Sequence, residues 1–504
     1  MKASRFKWPV TFSFVLFCVA LSIYRYWFSW HLQSTFTDSD QPFMWAGLAD
    51  YAQGHFYEPR FYGQNYNSFF EAFCAIPFYY CGISIPQALA LSTATLSLLP
   101  YLILAIFLFI QKKIPAAFIV LSIAAVFSAE GDILCSIPRG FSPGVFLCSG
   151  IAISLLIPNS VPLLCINAVT SSFGVILNPN AWLVYIVLWS FFIIQNKHTI
   201  RRLLLLALIL ICSLFLADVV FNSFYRIHPQ YIVYGLTHDW NIKNIPRALN
   251  HITDYVLEFG PFRSGAICIS ILFILSLYGF YKQAPKLTLV PFLLIAVILL
   301  SFSNGKLQEG SIWPYYSYCR FFLPAPFILA ACAFVFPQTK RLHNAIACFA
   351  LLFLAYKSLH FKNLMARLEN TQQWVGVHLI PTLKAKDAIH VYSKFCKDFK
   401  CDTLLVSNAF WLNTVLAYGG KALHSEFPVC TETRSERRYW VRERLNMQKP
   451  KRFLCLSTHS NLDLQANHKV NIKRIDDYGL YLIEQNYLSL AQWSAYLNTH
   501  EIQP

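Results

Sequence analysis

TDSDQPFMWAGLADYAQGHFYEPRFYGQNYNSFFE, residues Thr37 to Glu71, sets acids, amides and aromatics between two long apolar runs. Polar backbone and side chains are costly in hydrocarbon, so a chain that lives in lipid normally confines them to short turns. A polar segment of this length, directly after the first apolar run, is where chemistry is expected. That first run, Pro9 to Trp30, has about 20 residues, the length that spans a bilayer. It lacks the features of a cleaved leader and reads as a retained anchor.

The composition agrees. Only 13% of the 504 residues are charged and 56% are hydrophobic, whereas a soluble protein carries roughly 25% charged residues. Mean hydropathy is +0.45. The net charge of +16 would suit a nucleic-acid partner, but the basic residues gather at the ends of apolar runs. That distribution reports membrane orientation, and nucleic-acid binding is set aside.

Further apolar runs follow, and counting them gives about eleven spans. Five basic clusters, at 2–7, 112–113, 197–202, 282–286 and 340–341, then fall on one side. The excess of Lys and Arg in cytoplasmic loops makes that side the cytoplasm, with the amino terminus inside. The expected fold is an all-α polytopic membrane domain over residues 1–364, with outside loops at 31–70, 130–140, 222–261 and 303–320. An odd number of spans leaves residues 365–504 outside, and long domains cross largely regardless of their charge.

That tail changes character. TLLVS (403–407) and RFLCLS (452–457) suit strands, SERRYWVRERL (435–445) is an amphipathic helical pattern, and VNIKRIDDYGLYLIEQ near the end reads as a β-hairpin. The expectation is a small α/β domain. Eleven of the fifteen cysteines lie in or beside the spans as small core residues. The other four are Cys396, Cys401, Cys430 and Cys455; in an oxidising compartment Cys396 and Cys401 are close enough in sequence to close a short loop.

The order of a first span, an acidic outside loop, many spans and an outside tail resembles the GT-C superfamily of membrane glycosyltransferases. The likeness is sharpest to bacterial relatives of the protein O-mannosyltransferase and lipid A aminoarabinose transferase families. Those relatives carry an Asp-Glu pair in the first outside loop, followed by a Gly-x-x-Tyr segment and an acid. Here the corresponding stretches are Asp38-Ser39-Asp40-Gln41, Tyr62-Gly63-Gln64-Asn65-Tyr66 and Glu71. The resemblance implies transfer of a sugar, with inversion, from a polyprenyl-phosphate donor to a lipid, glycan or protein acceptor on the outer face of the inner membrane. It places Asp40 at the Asp of the family pair and departs at Gln41, which cannot take a proton.

Chemistry supports those positions. A carboxylate must accept a proton from the attacking acceptor, and cationic donors must meet the departing phosphate. Asp40 is the first choice of base and Asp38 the second; Asp38 could instead cap a helix beginning near Pro42. Tyr66 and Glu71 either bind sugar hydroxyls or hold the loop. Gly54 and Gly63 permit turns, and Glu58 and Arg60 suit an internal ion pair. Glu130, Asp132 and Arg139 form a second polar edge, either lining a wet site or pairing with one another. Arg320 opens a Pro-containing apolar run and suits a phosphate, or else an aromatic belt with Tyr315, Tyr316 and Tyr318. Lys306, Glu309, His238 and Asp239 are weaker candidates. No cofactor motif is present, and a divalent metal on paired acids stays open. The competing readings are a transporter or flippase of lipid-linked glycans and a non-catalytic envelope scaffold.

Overall fold

The computed structural model describes residues 8–195, 200–235, 240–246, 265–282, 285–304, 323–335, 340–374, 377–407, 409, 411–433, 436–457, 470–476, 479–485 and 488–500. These form two compact units. One comprises residues 1–32, 90–221 and 237–377, the other 33–89, 222–236 and 378–504.

The first unit is helical. Among the described residues three helices, Trp8–Thr35, Ile85–Ile110 and Ile200–Ile227, are long and apolar enough to cross a membrane. A fourth span is added if Asn344–Leu359 and Phe361–Thr371, which meet at a 49° bend, count as one. Six shorter apolar helices accompany them. The eleven runs read from the sequence therefore include segments below spanning length. Helix Ile200–Ile227 leaves Leu204, Leu208, Ile211 and Phe215 more than half exposed, a face that hydrocarbon tolerates and water does not. Close helix crossings use small residues: a Cβ on Gly174 would lie 2.9 Å from the Gly144 carbonyl. Buried polar groups are satisfied locally, as where the Asn167 amide donates to Gly150 O and Ser154 Oγ, each at 2.7 Å.

The second unit is α/β. Strand β1 (Phe36–Thr37) precedes helix Gln41–Ala52; β2 (Gln373–Trp374) and β3 (Val377–His378) are short, and β4 (Ile380–Pro381) pairs antiparallel with β1. Strands β5 (Thr403–Ser407), β6 (Val429–Glu432), β7 (Arg452–Ser457), β8 (Val470–Arg474) and β9 (Leu480–Gln485) form one sheet in the order β6-β5-β7-β9-β8. The first three strands run parallel, and the last two form the antiparallel hairpin expected from the sequence.

Alternation sorts the sheet's side chains onto two cores. Leu404, Val406, Leu454, Leu456, Leu480 and Leu482 face Phe43, Trp45, Leu48 and their neighbours. Leu405, Phe453, Cys455, Tyr481 and Ile483 face Val441, Leu445, Trp493 and Leu497. The polar opening stretch is thereby packed on the sheet through the apolar face of helix Gln41–Ala52. Cys396, Cys401, Cys430 and Cys455 are all buried, and Cys396 and Cys401 are not joined to each other. Their burial in apolar surroundings is what makes them core residues.

Candidate active site

Helix Gln41–Ala52 starts where TDSDQP predicts. Pro42 sits in its first turn, where a missing N–H costs nothing. Asp38 is fully buried, and its Oδ1 accepts the backbone N–H groups of Asp40 (2.8 Å) and Gln41 (3.1 Å). Its other oxygen receives the Gln41 amide at 3.4 Å. Asp38 therefore closes the turn ahead of the helix and satisfies donors that the helix cannot. Asp40 occupies the N-cap position itself without a side-chain cap bond and is half-buried. The geometry divides the two acids: Asp38 accepts backbone N–H groups, whereas Asp40 makes no cap bond. Asp38→Ala is expected to cost about 1 kcal/mol, read as a lower unfolding midpoint in detergent. An unchanged midpoint would remove the capping role.

Opposite the helix start lies Arg437, from the tail. Its guanidinium carbon stands 4.1 Å from the Phe43 ring centre and 4.7 Å from that of Tyr234. Gly63, at φ +72°, makes room: a Cβ there would lie 2.6 Å from Arg437 Cβ. The Arg437 backbone N–H donates to Tyr418 Oη at 3.0 Å, and Tyr418 in turn donates to Glu432 at 2.7 Å. Tyr418 is held in a π-helical turn, Val415–Gly419, a distortion frequent at functional positions. Burial disfavours the Arg437 charge, but Asp40, Tyr418, Glu432 and Tyr234 outweigh it and raise its pKa above the ordinary value. The sequence pattern SERRYWVRERL (435–445) reads as one amphipathic helix, but the helix begins at Tyr439, leaving Arg437 ahead of it.

Glu58 and Arg60 do not pair. Glu58 is buried and accepts from the Gly63 N–H (3.2 Å) and the Tyr225 O–H (2.9 Å), while Arg60 donates to Asn222 at 2.9 Å. The intervening proline and the turn at Gly63 aim the two side chains at different partners. Burial pushes the Glu58 carboxyl up to about 8, against the two hydrogen bonds that lower it. Between about pH 4.5 and 8 the folded protein thus holds a proton that the unfolded chain has lost, so stability falls as pH rises through that window and levels off above it. The change is on the order of 3–5 kcal/mol. Glu58→Gln is expected to flatten the pH dependence of the unfolding midpoint between pH 6 and 9; a slope equal to wild type would refute this.

Glu71 is fully buried in the first turn of helix Phe70–Tyr80, where a carboxylate suits the helix dipole. Tyr66 is half-buried in the same unit. Gly54 and Gly63 both take positive φ, as turn glycines should.

Asp132 and Arg139 belong to the other unit. Asp132 pairs with neither Arg139 nor solvent. It is fully buried, with Arg25 at 3.0 Å, Lys357 at 2.7 Å and the Tyr24 O–H donating at 2.7 Å. Lys357 also donates to Phe127 O at 3.0 Å. Spatial order explains the correction: Arg25 and Lys357 descend from helices distant in sequence, whereas Arg139 lies beyond the turn that follows Asp132 and is itself buried. The side chain of Glu130 and the whole of Arg320, with Tyr315, Tyr316, Tyr318, Lys306, Glu309, His238 and Asp239, lie outside the described residues. Among the described residues no three His, Cys, Asp or Glu side chains gather as a metal site would need.

The chain matches crystal structures of ArnT from Cupriavidus metallidurans. Against the apo state the TM-score is 0.51 at 12% identity, covering 93% of this chain and 97% of that one. Against the state bound to undecaprenyl phosphate the TM-score is 0.51 at 12% identity, covering 95% and 98%. The likeness gives this chain the fold of these two structures. No family model matches the sequence, and no curated protein matches it.

Proposed function

We propose that this chain is an integral-membrane glycosyltransferase that moves a sugar from a polyprenyl-phosphate donor to an acceptor on the outer face of the membrane. The supporting observation is the near full-length likeness to ArnT, one of whose structures holds undecaprenyl phosphate. Asp40 acts as the general base. The acceptor O–H or N–H attacks the anomeric carbon and its proton passes to Asp40. The bond from that carbon to the phosphate oxygen breaks, and its electron pair leaves with the polyprenyl phosphate. Attack from the face opposite the phosphate inverts the anomeric centre. Asp38, held by backbone N–H groups, keeps the helix start and so Asp40 in place.

The topology belongs to the same reading: about eleven spans, the amino terminus in the cytoplasm, and residues 365–504 outside the inner membrane. Tyr66 and Glu71 contribute to the sugar side of the site, while Glu130, Arg139 and Arg320 make a polar edge of the other unit. Asp132 supports that edge through its buried ion cluster. The test is transfer of a radiolabelled sugar from a polyprenyl-phosphate sugar to membrane acceptors, comparing vesicles with and without the protein. Transport of the labelled lipid without any transfer product would favour a flippase instead.

A further inference from the structure

A guanidinium is hard to bury without partners, because its five N–H donors lose water and must be repaid by acceptors. Arg437 breaks that rule. Its Nε is buried with no hydrogen-bond partner. Among the described residues the side chain makes no hydrogen bond and no ion pair within 4.0 Å, and its recorded contacts are the faces of Phe43 and Tyr234. Asp40 is near enough to favour its charge, yet not paired with it. Two aromatic faces fix the plane of the fork, Gly63 admits its stem, and Tyr418 holds its backbone. The residue is half-buried, so the fork is not sealed within the core.

An anchored, planar donor edge lacking an acceptor matches a bidentate oxyanion. Resting on the glycosyltransferase reading, we propose that Arg437 receives the phosphate of the polyprenyl-phosphate donor, on the same unit as the base. The separation from Asp40 serves both groups. A contact pair would cancel the base and occupy the fork, whereas apart they leave room for a sugar carbon between proton acceptor and leaving group. The Tyr418–Glu432 pair is a positioning device for the arginine.

The experiment uses the full-length protein in detergent, with binding of a polyprenyl phosphate and of the corresponding polyprenol measured beside the transfer rate. Arg437→Gln is expected to weaken polyprenyl-phosphate binding by about 10–100-fold, the loss of charge-assisted hydrogen bonds, and to leave polyprenol binding unchanged. Arg437→Lys keeps the charge without the fork and is expected to fall between; it decides the matter if the Gln variant does not fold. Asp40→Asn is expected to bind polyprenyl phosphate like wild type. Wild-type affinity in the folded Arg437 variants overturns the inference even where wild type transfers sugar. Arg437-dependent phosphate binding with no transfer by wild type supports the anion site and rejects the glycosyltransferase reading.

Discussion

Asp40→Asn is expected to slow sugar transfer by about 10²–10⁴-fold, the usual contribution of a positioned general base, with no loss of folded protein. Asn has nearly the shape of Asp and is equally favoured at a helix N-cap, so helix Gln41–Ala52 and the core beneath it are preserved. What disappears is the ability to accept the acceptor's proton. The loss should appear in the turnover rate, and donor affinity should stay near wild type because the phosphate is met by a cation. Initial rates over a range of donor concentrations separate the two. A variant that turns over at the wild-type rate would displace the base from Asp40, and Asp38 offers no replacement while its carboxylate accepts two backbone N–H groups.

The largest effect on stability is expected at Asp132. Its carboxylate answers two buried cations, Arg25 and Lys357, whose side chains are 3% and 8% exposed. Removing one partner of a buried ion pair costs about 3–5 kcal/mol, since the other charge is left without water or counter-charge. Here Asp132→Leu would strand two. The cluster already carries one more cation than anion, so Lys357→Met, which leaves a balanced Arg25–Asp132 pair, should be far milder. The triple change Arg25→Met, Asp132→Leu, Lys357→Met removes every charge together and should recover most of the loss. Unfolding midpoints and yields of monodisperse protein in detergent rank the variants. An Asp132→Leu protein as stable as wild type would show that the cluster is not the clamp described.

Much of this was legible from residue pattern. The α/β character of the tail followed from period-two runs such as TLLVS, a strand in the fold, and from the hairpin pattern whose strands β8 and β9 pair antiparallel. The helix start at Gln41 was equally local, resting on an acid two residues before a proline. Partners distant in sequence were not legible. Arg25 interrupts an apolar run and Lys357 another, which marks each as anomalous in hydrocarbon, but nothing in the pattern joins them to Asp132. Arg437 stood inside a charged run that reads as a solvated helix face. Its role depends on Phe43, Gly63 and Tyr234, contributed by two other segments of the chain. Glu58 and Arg60, two residues apart, suggested a pair; the turn at Gly63 sends them to Tyr225 and Asn222 instead.

The second unit is assembled from segments made at very different times. About 290 residues separate Leu89 from His378, and at ~5–20 residues per second their synthesis takes about 15–60 s. Throughout that interval Phe43, Met44, Trp45 and Leu48, all fully buried in the finished protein, have no sheet to cover them. The loop that carries Asp40 therefore passes through biogenesis as an exposed apolar helix awaiting its partner. Ribosomal stalling or truncation before residue 378 would leave an aggregation-prone fragment in which helix Gln41–Ala52 has no sheet to cover it.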